Sequence, residues 1–232
     1  MDIQINQQLP FPMASLNLGQ GETCMIAHGS MIYRTAGVEL NAQLNAQGSG
    51  LGKLVKAVGR SITSGESMFI TQVVCNAPGG LVAIAPNLPG QIVQLDVGAH
   101  QYRLNDRVFL AMDSTVNYQM QRQSVGRAFL GGTGGFFVMS TQGQGRVLVN
   151  AYGSVVELNL DNAQGFAIDN GHVVAWEQSL NYEIQLQSGL FGSIGTGEGV
   201  VNIFNGSGKV LIQTLNIESL ARAIAPYVAA RN

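Results

Sequence analysis

Residues 108–121 (VFLAMDSTVNYQMQ) and residues 172–185 (HVVAWEQSLNYEIQ) align without a gap, at an offset of 64 positions. Both stretches carry an alanine at their fourth position and an Asn-Tyr pair near their end. A fainter copy lies upstream in residues 24–33 (CMIAHGSMIY), which keeps the alanine, the apolar steps and a final aromatic residue. Self-similarity at a fixed period is typical of tandem units that pack against one another, so we predict three related β units.

A glycine followed by a short apolar run comes after each copy, at residues 80–84 (GLVAI), 145–149 (GRVLV) and 208–212 (GKVLI). Most of the remaining chain consists of similar short strands separated by Gly, Asn, Pro and Ser, which is typical of a sandwich or barrel. The Asn170-Gly171 pair is a strong hairpin signal, because both central residues of a type I′ turn need positive φ.

Two segments depart from the strand pattern and predict short helices. Residues 51–62 place apolar side chains at helical spacing, with Lys53, Lys56 and Arg60 on the opposite side. Residues 217–228 have a similar apolar stripe, which Pro226 should end or kink. We therefore divide the chain into a β-sandwich unit at 1–105 with a helical insertion at 50–63, a second unit at 106–215, and a C-terminal helix at 216–232.

The composition favours a protein that associates with itself. Hydrophobic residues make up 46% of the chain and charged residues only 11%, so part of the surface should be hidden in an oligomer. No apolar run is long enough for a membrane span and the start has no secretory or transit signal, which predicts a cytoplasmic protein. The net charge of −2 argues against a broad nucleic-acid surface.

No pattern of reactive side chains indicates catalysis. Cys24 and Cys75 lie in apolar segments and are expected to be reduced core thiols. His28, His100 and His172 lack the H-x-H spacing of a metal site, and no Gly-x-Ser-x-Gly motif occurs. We assign no catalytic residue, metal ligand or cofactor, and Trp176 is expected to pack in the core.

Several motifs in a fixed order resemble one known family. They lie in residues 18–31, 64–69, 85–90, 171–175 and 197–214. Together they are similar to the mitochondrial biogenesis family called "altered inheritance of mitochondria, number twenty-four", whose bacterial members are largely uncharacterised. The resemblance implies a mostly β fold: a duplicated β-sandwich like that of the tryptophan RNA-binding attenuation protein, of the double-stranded β-helix type, assembled as a homotrimeric ring.

These observations predict a non-enzymatic oligomeric scaffold or interaction protein whose main partner is itself. One alternative is a small-molecule or metal-binding enzyme of the double-stranded β-helix type, and another is an RNA-binding ring. The basic residues Lys53, Lys56 and Arg60 are candidates for docking to an unknown protein partner or to an anionic membrane surface, because positive charge is concentrated only there. The alternative role of this helix is to pack on the sandwich with its charges in water.

Overall fold

A computed structural model describes residues 1–44, 69–123, 136–186 and 199–228. Within these residues the chain forms seventeen strands and one short α-helix, so the prediction of a mostly β protein is confirmed. The first seven strands are β1 (Asp2–Ile5), β2 (Ala14–Leu18), β3 (Thr23–Ala27), β4 (Met31–Arg34), β5 (Val38–Leu44), β6 (Phe69–Cys75) and β7 (Gly80–Ile84). The next five are β8 (Gly90–Val97), β9 (Tyr102–Leu104), β10 (Phe109–Asp113), β11 (Val116–Gln123) and β12 (Phe136–Gly143). The last five are β13 (Gly145–Tyr152), β14 (Val155–Asp169), β15 (Val173–Glu177), β16 (Asn181–Leu186) and β17 (Val200–Gln213).

The strands form three antiparallel sheets. The first sheet has the order β1-β2-β7-β4, and the second has the order β5-β6-β3-β10-β13-β8. The third has the order β11-β12-β9-β15-β17-β14, with β16 also paired to β17. Successive side chains of a strand point to opposite faces of its sheet. β2 and β3 accordingly bury every second residue, so that one face of each strand lies in a core.

The two aligned stretches of sequence have the same secondary structure. In the first, β10 is joined to β11 by a two-residue turn, and in the second β15 is followed by a short turn and β16. Trp176 of β15 is 1% exposed, which confirms its predicted place in the core. Cys24 and Cys75 are both buried and free, as predicted.

The hairpin predicted at Asn170-Gly171 is wrong. These residues form a 3-10 turn in which the Asp169 side chain accepts a hydrogen bond of 2.8 Å from the Gly171 amide. Neither Asn170 nor Gly171 has a positive φ, so the type I′ conformation is absent. The flanking strands β14 and β15 each pair with β17 and not with each other.

The described residues form three apolar cores. The first core has fourteen buried residues and the second has fifteen. The first core includes Leu110, Ala111 and Leu148 from β10 and β13, and the second includes Val174, Ala175 and Leu211 from β15 and β17. Each of these two cores is thus completed by residues that lie later in the chain.

The third core has only seven buried residues among those described, including Trp176 and Phe204. The rings of Trp176 and Phe204 meet edge to face with centroids 5.7 Å apart. No strand follows β17 in the described chain, so nothing completes this core as β10 and β15 complete the other two.

The C-terminal helix α1 (Ile217–Ile224) begins at Asn216, whose side chain accepts hydrogen bonds from the Glu218 and Ser219 amides. Pro226 lies in a 3-10 turn that follows the helix, so the prediction that this proline ends or kinks the helix is confirmed. The α-helix itself ends at Ile224, short of residue 228. No residue of α1 is buried. The insertion predicted at 50–63 lies outside the described residues.

Candidate assembly interface

The strands β10 and β15 join the cores by pairing on both edges. β10 pairs with β13 on one edge and with β3 on the other. β15 pairs in the same way with β17 and with β9. Both strands have a β-bulge immediately before an alanine, Ala111 in β10 and Ala175 in β15. The same irregularity at the same register indicates that the two strands have equivalent places in the fold.

The edge strand β4 has the same bulge as β10 and β15, although it is paired on one edge only. It pairs with β7 through a bulge before Tyr33, so that Tyr33 stands opposite Ala83 as Ala111 stands opposite Leu148. Tyr33 therefore takes the place that an alanine has in the other two strands.

A shared hydrogen bond supports the equivalence of β4, β10 and β15. In each case, the side chain two residues after the bulge position accepts a hydrogen bond from a main-chain amide of the neighbouring strand. The Arg146 amide donates to the Asp113 carboxylate at 2.8 Å, and the Lys209 amide donates to the Glu177 carboxylate at 3.1 Å. In the same place the Leu81 amide donates to the Thr35 hydroxyl at 3.0 Å. The three donors each follow one of the glycines at positions 80, 145 and 208 that the sequence pattern singled out.

The outer edge of β4 has no strand partner among the described residues. All four of its residues are exposed, and Ile32 and Tyr33 are 51% and 46% exposed. The corresponding residues of β10, Leu110 and Ala111, are 1% and 0% exposed because β3 covers that edge. An apolar, unpaired edge is a template for pairing with another chain.

A complementary edge is found at β14, the last strand in the order of the third sheet. Residues 166–169 of β14 pair with β17 in the way that β9 pairs with β12. β9 is covered on its second edge by β15, whereas β14 has no second partner in the described parts of the chain. Phe166 of β14 is consequently 42% exposed, while Tyr102 of β9 is 8% exposed.

A buried amide without partners lies beside this second edge. Asn202 of β17 stands opposite Ile168 of β14 and is 0% exposed. Among the described residues, neither its Oδ1 nor its Nδ2 atom has a hydrogen-bond partner. Met139 has the corresponding position opposite Leu104, at the second core. A buried amide with both groups unpaired costs stability, so its presence calls for an explanation.

A cavity of about 370 Å³ lies between β3, the loop at residues 85–88 and the loop at residues 105–107. Its wall is largely apolar and includes Phe109, Met120 and Met139. Asn105 also lines it, donating through its amide to the carbonyl oxygens of Asn170 at 2.8 Å and Val173 at 3.0 Å. The Oδ1 atom of Asn105 is buried and has no hydrogen-bond partner within the described ranges.

The residues considered for metal binding are dispersed. His100 Nδ1 is 3.1 Å from a Glu177 carboxylate oxygen, and His172 Nδ1 is 2.7 Å from the Gln213 carbonyl oxygen. His28 lines the cavity described above. Within the described ranges, no three His, Cys, Asp or Glu side chains are grouped closely enough to hold a metal ion.

The candidate docking residues Lys53, Lys56 and Arg60 lie outside the described residues, so their placement is not tested. No helix in the described part of the chain is sufficiently long and apolar to cross a membrane.

The sequence did not predict the open edges of β4 and β14. The residues that form these edges are ordinary strand residues, and only their unpaired state is unusual.

The chain is a β protein in which the same strand pairing occurs at two internal junctions. Within the described residues, one half of this pairing is left open at the edge of β4 and the other half at the edge of β14. The family model described as mitochondrial biogenesis AIM24 matches residues 3–215, and the chain belongs to this family. An uncharacterised protein of Streptococcus pyogenes serotype M6 is 50% identical over 228 residues, or 98% of this chain and 91% of that protein. The crystal structure of another Streptococcus pyogenes protein matches with a TM-score of 0.83 and 47% identity, covering 98% of this chain and 99% of that one.

Proposed function

We propose that the protein is a non-enzymatic scaffold subunit that assembles head to tail, with β4 of one copy paired to the residue 166–169 segment of β14 in the next. The observation that carries this proposal is the matched pair of open edges, each equivalent to an edge that is covered inside the chain. Because the edges of β4 and β14 differ from each other, the contact between two copies is heterologous. Such contacts form a closed ring when the rotation that relates neighbouring copies brings the last copy back to the first. The resemblance of the sequence to the mitochondrial biogenesis family implies a homotrimeric ring, so the proposed assembly is a closed ring of three copies.

The internal junctions predict the register between copies. Ala111 stands opposite Ile26 and Ala175 stands opposite Leu104, in antiparallel pairs. By equivalence, Tyr33 of one copy would stand opposite Ile168 of the next, and Arg34 would stand opposite Ala167. Met31, Ile32 and Tyr33 are between 38% and 51% exposed in the free chain. Burying them contributes on the order of 3 kcal/mol, in addition to the main-chain hydrogen bonds.

Sedimentation of the purified chain tests the proposal. The wild-type protein is expected to sediment as an oligomer, and Ile32→Lys as a monomer of 24.6 kDa, because a charge would be buried where Leu110 and Val174 lie at the internal junctions. Val156→Lys is the matched control. Val156 is 41% exposed on β14 but lies outside residues 166–169, the segment proposed to pair with the next copy. A monomeric wild-type protein at micromolar concentration would refute the proposal.

Cysteine cross-linking tests the register. Arg34→Cys in one copy and Ala167→Cys in another should form a disulfide on mixing, because directly opposed residues have suitable Cα distances. Arg34→Cys mixed with Phe166→Cys is displaced by one residue and should cross-link much more slowly. Cys24 and Cys75 are buried and should not interfere. Equal rates for the two mixtures would contradict the predicted register.

The basic residues Lys53, Lys56 and Arg60 are proposed to dock the scaffold to a partner protein or to an anionic membrane surface. Each cation near acidic lipid contributes about 1 kcal/mol. Reversing all three charges should abolish binding to anionic liposomes or to a captured partner while leaving thermal stability and oligomeric state unchanged. Unchanged binding would contradict the docking role and favour the alternative, in which this segment packs on the sandwich.

A further inference from the structure

We propose that, in the head-to-tail assembly, Leu215 of one copy packs against Phe11 of the next copy. This inference rests on the pairing of β4 with β14 proposed above, and it adds a second contact to the same interface. The contact joins the end of β17 in one copy to the start of β2 in the next. Inside the chain, a short peptide connection joins the corresponding strands.

Leu215 has the same place in its pair of strands as Tyr152 has in another. Three glycines fix the register of the antiparallel pairs β2–β7, β8–β13 and β14–β17: Gly80 opposite Leu18, Gly145 opposite Val97, and Gly208 opposite Leu160. Counting seven residues onward from Gly145 reaches Tyr152, and the same count from Gly208 reaches Leu215. The two residues are therefore equivalent.

Phe11 is equivalent to Gly153 by the same count. Seven residues before Leu160 is Gly153, and seven before Leu18 is Phe11. Tyr152 and Gly153 are consecutive, so the end of the second pair of strands is bonded directly to the start of the third. In the assembly, the first pair of the next copy follows the third pair in the same way. Leu215 and the next copy's Phe11 would then take the places of Tyr152 and Gly153.

The internal connections also give the distance between the two residues. The residues with these two places are adjacent in the chain at the second junction, and at the first junction they are Asn87 and Gly90, three positions apart. Consecutive Cα atoms are about 3.8 Å apart, and three extended residues span about 10 Å. The Cα atoms of Leu215 and the next copy's Phe11 are therefore expected between about 4 and 10 Å apart.

Main-chain hydrogen bonds show that successive connections lie side by side. The Gly153 amide donates to the Pro89 carbonyl oxygen at 2.9 Å, and the Leu215 amide donates to the Tyr152 carbonyl oxygen at 3.2 Å. Leu215 thus continues the row formed by the two internal connections, on the side where the next copy would follow.

The exposure of apolar side chains agrees with a contact at these residues. Phe11 is 68% exposed and Leu215 is 47% exposed, whereas Tyr152, the internal equivalent of Leu215, is 9% exposed. Twelve large apolar side chains are exposed in the described chain, and none of these twelve lies between residues 34 and 155. The exposed apolar residues therefore gather in the two parts of the chain that lack one neighbour, as expected for surfaces that a second copy covers.

A cavity beside Phe11 can receive the leucine side chain. Its volume is about 220 Å³, and Phe11, Pro12 and residues 85–90 line it. Leu88 and Pro89 make part of its wall apolar. A leucine that enters this cavity removes apolar surface of both copies from water, which favours association.

Cysteine cross-linking in the full chain tests the contact. Leu215→Cys in one copy and Phe11→Cys in another should form a disulfide on mixing, because the expected separation includes the Cα distances that a disulfide needs. Arg34→Cys mixed with Phe11→Cys is the control. Both residues of the control lie beside the first sheet, and head-to-tail pairing keeps the first sheets of two copies apart. Equal rates for the two mixtures would overturn the contact.

Opposite charges give a second test. Phe11→Lys and Leu215→Glu should each weaken association about tenfold or more, since each places a charge in an apolar contact. A chain with both substitutions should regain most of this loss, because every contact then brings a lysine beside a glutamate. Tyr227→Glu is the control partner for Phe11→Lys, because Tyr227 is 87% exposed and lies beyond α1. Recovery that is absent, or equal with both partners, would contradict the contact.

The outcomes separate this inference from the head-to-tail proposal. A wild-type chain that does not associate overturns both. A wild-type chain that assembles, with Ile32→Lys monomeric and Arg34→Cys cross-linked to Ala167→Cys, but in which Leu215→Cys and Phe11→Cys react no faster than the control, overturns the Leu215–Phe11 contact alone. Circular dichroism of each variant shows whether the strands are intact, and both residues are exposed in the free chain, so their substitution should not affect folding.

Discussion

Replacing Asn202 by leucine should stabilise the free chain by about 1–3 kcal/mol, which is the usual cost of a buried polar group left unpaired. Asn202 is 0% exposed, and neither polar atom of its side chain has a hydrogen-bond partner in the part of the chain that the structure describes. Leucine has the same branching but no polar atoms, so the substitution removes this cost and adds apolar contacts to the core of Trp176 and Phe204. The larger volume of leucine offsets part of the gain.

Urea unfolding in the monomeric Ile32→Lys background measures this effect without a contribution from assembly. Fluorescence of Trp176, the single tryptophan, reports directly on the third core. Met139→Leu is the matched control, because Met139 has the corresponding position at the second core and the swap should cost less than about 1.5 kcal/mol. Destabilisation by Asn202→Leu with a neutral Met139→Leu would refute the reasoning, since the amide must then have a partner in the free chain.

Gly90→Ala should destabilise the chain by at least about 3 kcal/mol in urea unfolding, because its Cβ would lie 1.8 Å from the Ala151 carbonyl oxygen. Gly98→Ala, whose Cβ would meet only a side-chain atom at 3.7 Å, should be tolerated, and equal effects would contradict this reading of the packing. Burial raises the pKa of Cys24 to about 12, so the unfolded thiol loses its proton at lower pH than the folded one and the free energy of unfolding should fall as pH rises from about 9 to 12. The decrease due to Cys24 should approach about 1.4 kcal/mol per pH unit. In Cys24→Ala only the decrease above about pH 10 should remain, because burial also raises the pKa of Tyr102, Tyr118 and Tyr182. Identical pH dependence of the two proteins would show that Cys24 does not titrate in this way.

The sequence predicted a mostly β protein and part of its core, but it misplaced the first copy of the repeat. The alignment matched Ala27 to Ala111, whereas strand pairing makes Tyr33 the counterpart of Ala111. An alanine stands at that place where a leucine is opposite, whereas the larger Tyr33 stands opposite the small Ala83. The carboxylate of Asp113 is likewise replaced by the Thr35 hydroxyl, so the shared hydrogen bond leaves no shared residue type.

The open edges themselves could not be read from the residues. Ile32 and Leu110 are similar apolar residues in similar strands, and only the presence of a neighbouring strand makes one exposed and the other buried. The Asn170-Gly171 pair shows the converse limit, because a local signal for a tight hairpin was overridden by the pairing of β14 and β15 with β17. Long-range strand order decides both cases, and it has no simple local pattern in one sequence.

Because the open edges of β4 and β14 are unlike, a subunit damaged at one end keeps a working surface at the other. An Ile32→Lys chain would still offer its β14 edge to a normal neighbour, and would then stop further addition. Mixed with wild-type protein, such a chain acts as a terminator, so a minority of damaged copies would remove a larger share of complete assemblies. Co-expression at graded ratios would reveal this excess, and a loss merely proportional to the damaged fraction would indicate that the two edges do not act independently.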